Sequence, residues 1–265
     1  EDIGMAFVFA LCPFGGLALP SYSEALKANL AEHVAERADS LNLGFAPAVP
    51  VATAAVVPTE AYEVRRSTLG MGNSCPFDTD ALVHASMAPL FTAEECRAIR
   101  EEAAAQIAAG AQSSFTMTDT NRDVPVHELP RTLEWLNRDG LARVASFSRA
   151  CFGSAAVDER GLWVYRGLVI NYDAAAGLTH QPMHRDASLI SCTVPLSQRD
   201  DYQGGGTYIE PLGHAIALEQ GHALLHPSAV RHAGSRIHAG ERWVLVLFLN
   251  AVEMRLGEHG RRLRA

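Results

Sequence analysis

The sequence has no CxxC pair and no internal run of lysine or arginine. Its five cysteines, at 12, 75, 96, 151 and 192, are odd in number and irregularly spaced. That pattern offers neither a zinc ribbon nor a disulfide framework. It points to an intracellular, reducing compartment or organelle, with one or two isolated bridges in oxidising surroundings as the alternative. Basic residues gather only at Arg261, Arg262 and Arg264, and the net charge is −8. Nucleic acid and anionic membrane surfaces both need a basic patch, so neither is expected as the main partner. A phosphate loop is also missing. Gly204, Gly205 and Gly206 are followed by no helical pattern, and read as a tight turn or bulge that lets the chain approach a site.

Charge is absent from Ile3 to Pro20. The acidic Glu1 and Asp2 do not suit a signal peptide, whose first region is basic. A spanning helix needs about 20 apolar residues, and Pro13, Gly15 and Gly16 interrupt this run. It reads either as a docked extension or as a membrane contact or anchor into a larger assembly.

The 265 residues are 48% apolar and 20% charged, enough for a well-packed core. Ser21 and Glu24 make a capping box for a helix over 21–40, with Leu26, Leu30 and Val34 at helical spacing. Residues 41–60, with Pro47, Pro50 and Pro58, read as an extended linker on a surface. We place a domain boundary near 75, giving an N-terminal helical and extended segment over 1–75 and a main domain over 76–265. Thr92 to Gly110 is a second capped helix. Residues 111–128 are polar and irregular, and 113–128 suits either a substrate lid or a plain connector. Pro130 to about Cys151 is helical, directs Leu133, Leu136, Leu141, Val144 and Phe147 to the core, and is bent or split at Gly140. Beyond 160 the runs LWVYRGLVINYD, SLISCTVPLS, GGTYIEP, HAIALEQ, HALLHP and RWVLVLFLNA read as antiparallel strands. Helices followed by strands predict an α+β chain, or helices buttressing a double-sheet jelly roll.

His184-Arg185-Asp186 is an H-x-D. On a strand, residues i and i+2 share a face, so imidazole and carboxylate point the same way. His232 stands near the start of a different strand region. Two histidines and one carboxylate on one face of an octahedron leave three positions open, which suits iron(II) chemistry with a chelating co-substrate and oxygen. The competing reading is three unrelated polar residues. Arg242 follows His232 by ten residues at the head of the apolar strand Trp243 to Leu249. A guanidinium there costs stability unless an anion pairs with it. A dicarboxylate would do so; exposure to water, or pairing with Glu210 or Glu241, is the alternative. His180 reads as a loop or cleft residue, His226 as a structural or rim histidine, and Arg185 as facing substrate or solvent.

From Leu168 to Asn250 the chain resembles the prolyl 4-hydroxylase-like branch of the iron(II)/2-oxoglutarate-dependent dioxygenases. The matching stretches are NYD at 171–173, HRD at 184–186, SLISCTVPLS at 188–197, GGGTYIEP at 204–211, HPSAVRHAG at 226–234 and GERWVLVLFLN at 240–250. The helices from about 90 to 151 are compatible, and the first 75 residues have no recognised counterpart. The resemblance implies a double-stranded β-helix with iron(II) on His184, Asp186 and His232, and 2-oxoglutarate paired with Arg242. Tyr172 matches a tyrosine that lies beside the co-substrate in that family, with a core tyrosine as the alternative. A second tyrosine common in the family is missing, since its strand offers Thr193, Val194 and Pro195. The implied reaction uses O2, and ascorbate in some relatives. It couples release of succinate and carbon dioxide to oxidation of a substrate C–H bond. Asp186 favours hydroxylation, because related halogenating enzymes lose this carboxylate. The expected substrate is a peptidyl residue, proline among the candidates, or a small molecule. A different class of reading is an oxygenase-like domain serving as a structural subunit of a larger, membrane-associated complex through residues 1–75.

Overall fold

The computed structural model describes residues 44–46, 48–51, 57–65, 69, 75, 77, 79–111, 121–153, 157, 161–186 and 188–251. The apolar run, the helix expected over 21–40, the first half of the 113–128 segment (113–120) and the terminal arginines lie outside the described residues.

Helix α1 (Ala93–Ala108) starts where its capping box demands. The Glu95 amide donates to the Thr92 hydroxyl at 3.2 Å, and the Thr92 amide donates to the Glu95 carboxylate at 2.8 Å. Its Cys96, Ile99 and Ala103 are buried, and it lies against the large sheet. Helices α2 (Pro130–Trp135) and α3 (Leu141–Phe152) are separated by a π-helical turn over Leu136–Gly140. The split expected at Gly140 has a local cause. A Cβ there would stand 2.9 Å from the Trp135 ring, so only glycine lets the indole fold over the turn. Leu136, Leu141, Val144 and Phe147 are buried, and Leu133 is partly so.

Two antiparallel sheets form a double-stranded β-helix. The large one runs in the spatial order β1 (Thr59–Glu63), β2 (Ala81–Ser86), β10 (Leu224–Pro227), β6 (Ile190–Pro195), β12 (Ile237–Ala251), β4 (Leu162–Asp173) and β3 (Arg122–Pro125). Strand β7 (Tyr202–Gly204) pairs with the start of β12. The small sheet runs β5 (Gln181–His184), β11 (His232–Gly234), β8 (Thr207–Ile209) and β9 (His214–Ile216). Among the described residues, no helix is long and apolar enough to cross a membrane.

Three local expectations change. Arg122–Pro125 is an edge strand rather than irregular chain; its charged residues and terminal proline mask the strand pattern, yet Asp123, Val124 and Pro125 are buried against β4. Strand β12 begins at Ile237, not at Arg242, because Gly240 at φ +76° breaks the apolar pattern without ending the strand. The stretch read as a linker over 41–60 contributes pairing. Val49 exchanges two backbone hydrogen bonds with Leu162, at 2.7 and 2.9 Å, and Thr59 and Glu60 open β1. Strands β1 and β2, which lie on opposite sides of position 75, pair with each other.

Candidate metal centre and adjoining pocket

Strand register brings the three expected ligands together. In the β5–β11 pair, His232 stands directly opposite His184, and their ring centroids are 4.3 Å apart. Asp186 lies two residues beyond the end of β5, so its placement comes from the segment after the strand rather than from the strand itself. The ligand atoms of His184, Asp186 and His232 all lie within 4.8 Å of one another. Asp186 Oδ1 is 3.3 Å from His184 Nε2, and Oδ2 is 3.5 Å from His232 Nε2.

The other ring nitrogens fix the tautomers. His184 Nδ1 donates to the Pro182 carbonyl at 2.8 Å, and His232 Nδ1 donates to the Val230 carbonyl at 3.1 Å. A carbonyl only accepts, so each Nδ1 carries a hydrogen and each Nε2 presents a lone pair. Outer-side hydrogen bonds of this kind are how proteins aim metal-binding imidazoles. Burial pushes His232 down, against the pull of the Asp186 charge. Burial would also lower His184, but hydrogen bonding and charge from Asp186 more than offset it and raise that imidazole. A proton there is the competitor that a metal ion displaces. Asp186 is buried, which opposes ionisation, yet the imidazoles of His232 and then His184 hold it well below the usual carboxylate range. Two imidazoles and a carboxylate aimed at one point fit a borderline divalent cation such as iron(II).

A pocket opens from this cluster between the two sheets and reaches Tyr172 and Arg242. Arg242 is 3% exposed, and its Nε and Nη1 have no hydrogen-bond partner. Neither Glu210 nor Glu241 pairs with it: Glu210 pairs with Arg231, and Glu241 accepts from the Trp243 indole at 3.1 Å. Gly205 makes room for the arginine, since a Cβ there would meet Arg242 Cδ at 3.0 Å; its φ is +72°. Tyr172 is buried and lines the pocket, with its hydroxyl 3.4 Å from Gln181 Oε1. Burial raises its pKa, partly countered by Arg242. Where the second tyrosine is missing, the Thr193 side chain faces the pocket, joined by Thr207.

Other residues singled out by the sequence take different places. His180 hydrogen-bonds Thr179 at 3.3 Å and stays out of the ligand cluster. Arg185 does not line the pocket; it is exposed to solvent, as one of the two expectations had it, and donates to the carbonyls of Ala229 and Leu69, each at 3.1 Å. His226 is fully buried with its ring centroid 4.3 Å from that of His232, so it is an interior rather than a rim residue. Ser191, which no sequence motif singles out, donates a hydrogen bond to Asp186 Oδ2. Its signal was present in the alternation of β6, but a serine in SLISCTVPLS does not stand out without the fold.

No family model matches the chain. Over 152 residues it is 30% identical to a PKHD-type hydroxylase of Polaromonas sp. strain JS666. That alignment takes in 51% of this chain, and the chain spans 64% of the relative's length, under two thirds of it. Among solved structures it is similar to a viral collagen prolyl hydroxylase from Paramecium bursaria Chlorella virus 1, solved with 2OG. The identity is 13%, with 64% of this chain and 96% of that one covered, at a TM-score of 0.42. It is also similar to a 2OG-Fe(II) oxygenase-family oxidoreductase from Burkholderia pseudomallei. There the identity is 20%, with 62% and 91% covered, at a TM-score of 0.40. By its sequence match, its double-stranded β-helix and its two-histidine, one-carboxylate cluster, the chain resembles the iron(II)/2-oxoglutarate-dependent dioxygenases of the prolyl 4-hydroxylase-like branch.

Proposed function

We propose that this chain is an iron(II)- and 2-oxoglutarate-dependent hydroxylase. The observation that carries the reading is the pairing, within one pocket, of three converging metal donors with a buried arginine that has no acidic partner among the described residues. His184, Asp186 and His232 would hold the iron. Arg242 would hold the far carboxylate of 2-oxoglutarate, since an unpaired buried guanidinium is costly and a carboxylate matches its fork. When bound, the metal supplies the oxidising chemistry that couples decarboxylation of 2-oxoglutarate to insertion of oxygen into a C–H bond.

The chain's own tasks are binding, orientation and exclusion of water. Leu168, Ile170, Val244, Val246 and Phe248 form an apolar wall along the pocket. That wall keeps water from the reacting centre. Thr193 and Thr207 line the same pocket as Arg242, where the second tyrosine is missing. The substrate is a peptidyl residue, with proline among the candidates, or a small molecule. The similarity to the PKHD-type hydroxylase of Polaromonas supports hydroxylation over other outcomes. The test is anaerobic addition of iron(II) and 2-oxoglutarate, followed by screening peptide and small-molecule pools for succinate release under oxygen. The expected result is a visible metal-to-ligand charge-transfer band, absent in Asp186→Ala, and substrate-stimulated succinate. No band in the folded wild type would overturn the reading.

A further inference from the structure

We propose that Ser191 is a positioning residue for Asp186, holding one carboxylate oxygen so that the other is the one presented to the metal. The inference rests on the iron-site reading above and adds a residue to it.

Geometry makes the assignment. Ser191 Oγ donates to Asp186 Oδ2, and a carboxylate has no hydrogen to return, so the direction of this bond is fixed. Oδ2 is the oxygen on the His232 side, at 3.5 Å, whereas Oδ1 faces His184 at 3.3 Å. A hydroxyl occupying Oδ2 competes with capture of the metal by both oxygens. Binding through one oxygen keeps three positions free on the metal, which is what a chelating co-substrate and oxygen require.

Ser191 is itself locked in place. It lies 1% exposed on β6, opposite His226 of β10 and Phe248 of β12 in the ladder. Its hydroxyl is 3.4 Å from that of Ser188, which donates to the Ile190 carbonyl at 3.1 Å and bonds the Ser228 hydroxyl. Ser188 follows Asp186 by two residues, and Ser228 precedes His232 by four. Three buried hydroxyls therefore fasten the segment that carries Asp186 and the one that leads into His232 to one central strand. A small residue chosen only to fill space would not need a donor aimed at the carboxylate.

The experiment measures Mn(II) affinity by titration of the full chain, without oxygen or co-substrate, beside the melting temperature of the metal-free protein. Ser191→Ala and Ser191→Cys, which remove the strong donor at nearly constant shape, are each expected to weaken Mn(II) binding about 10- to 100-fold. The metal-free melting temperature should stay near that of wild type, and Ser191→Thr, which keeps the hydroxyl, should retain affinity. Wild-type affinity in both the alanine and cysteine variants overturns the proposal and leaves the iron-site reading standing. A wild type that binds no Mn(II), indistinguishable from Asp186→Ala, overturns both.

Discussion

Arg242 stands directly opposite Tyr172 in the β4–β12 ladder, with its guanidinium carbon 5.1 Å from the centre of the tyrosine ring. The ring covers one face of the cation, while two of its nitrogens remain without partners in a buried pocket. Such an arrangement is what the proposed anion site requires. Replacement by Gln removes the charge and the fork. We expect Arg242→Gln to weaken 2-oxoglutarate binding by at least tenfold, since a charge-assisted hydrogen bond contributes roughly 1.5–3 kcal/mol. Metal affinity should be unchanged. Anaerobic titration of the iron-loaded protein with 2-oxoglutarate checks the split.

The converging donors predict a thermal signature. A divalent ion at 100 times its dissociation constant should stabilise the fold by about 2.7 kcal/mol. Chelator treatment should remove that increment in the wild type and do nothing to His232→Ala. Calorimetry with and without Mn(II) reads both effects; equal stabilisation of the variant would place the metal elsewhere.

Gly234 is opposite Gln181 in the small sheet, and a Cβ there would lie 2.5 Å from the Tyr172 hydroxyl. Gly234→Ala should therefore push Tyr172 aside and weaken 2-oxoglutarate binding several-fold. Adding Tyr172→Phe removes the clashing oxygen and should restore part of the loss. A double-mutant cycle on co-substrate affinity detects the coupling; additive losses would show that the two residues act separately.

Glu102 of α1 caps α2 from outside. Its carboxylate accepts from the amides of Arg131 at 3.0 Å and Thr132 at 2.8 Å, and from the Thr132 hydroxyl at 2.7 Å. Burial opposes its ionisation, but these hydrogen bonds, led by the Thr132 hydroxyl, hold its pKa below the ordinary value. A depressed carboxyl contributes fully above its unfolded pKa and loses that contribution as pH falls through the folded one. Glu102→Gln should cost about 1–3 kcal/mol at neutral pH. The difference from wild type should shrink towards pH 3, as measured by denaturant unfolding.

The parts of this molecule that were legible in the sequence carry local signals. Thr92 and Glu95 announce a helix start, Gly140 announces a break, and the apolar runs after 160 announce strands. His184, Asp186, His232 and Arg242 were legible because metal donors and a guanidinium are conspicuous among apolar strands. The residues that support them were not. Ser191 and His226 enter the site through register across β6 and β10, a relationship between positions 35 residues apart that no local spacing encodes. The backbone partners of Arg185 were hidden for the same reason: the carbonyls of Leu69 and Ala229 lie 116 and 44 residues away. Strand β3 escaped notice because Arg122 and Asp123 look like loop residues until β4 is placed beside them.

Strand β1 is the border of the large sheet, and its sequence TEAYE puts Glu60 and Glu63 along that border. Behind it, Leu82 and Val83 of β2 are fully buried. Charged border strands are a common defence against chains adding themselves to a sheet. A shortened form beginning at residue 76 would strip that guard and leave the unsatisfied amides and carbonyls of β2 as a template for self-association. Any attempt to isolate the two-sheet portion should thus keep the chain from Val49 onward, or clumping will be mistaken for loss of metal binding.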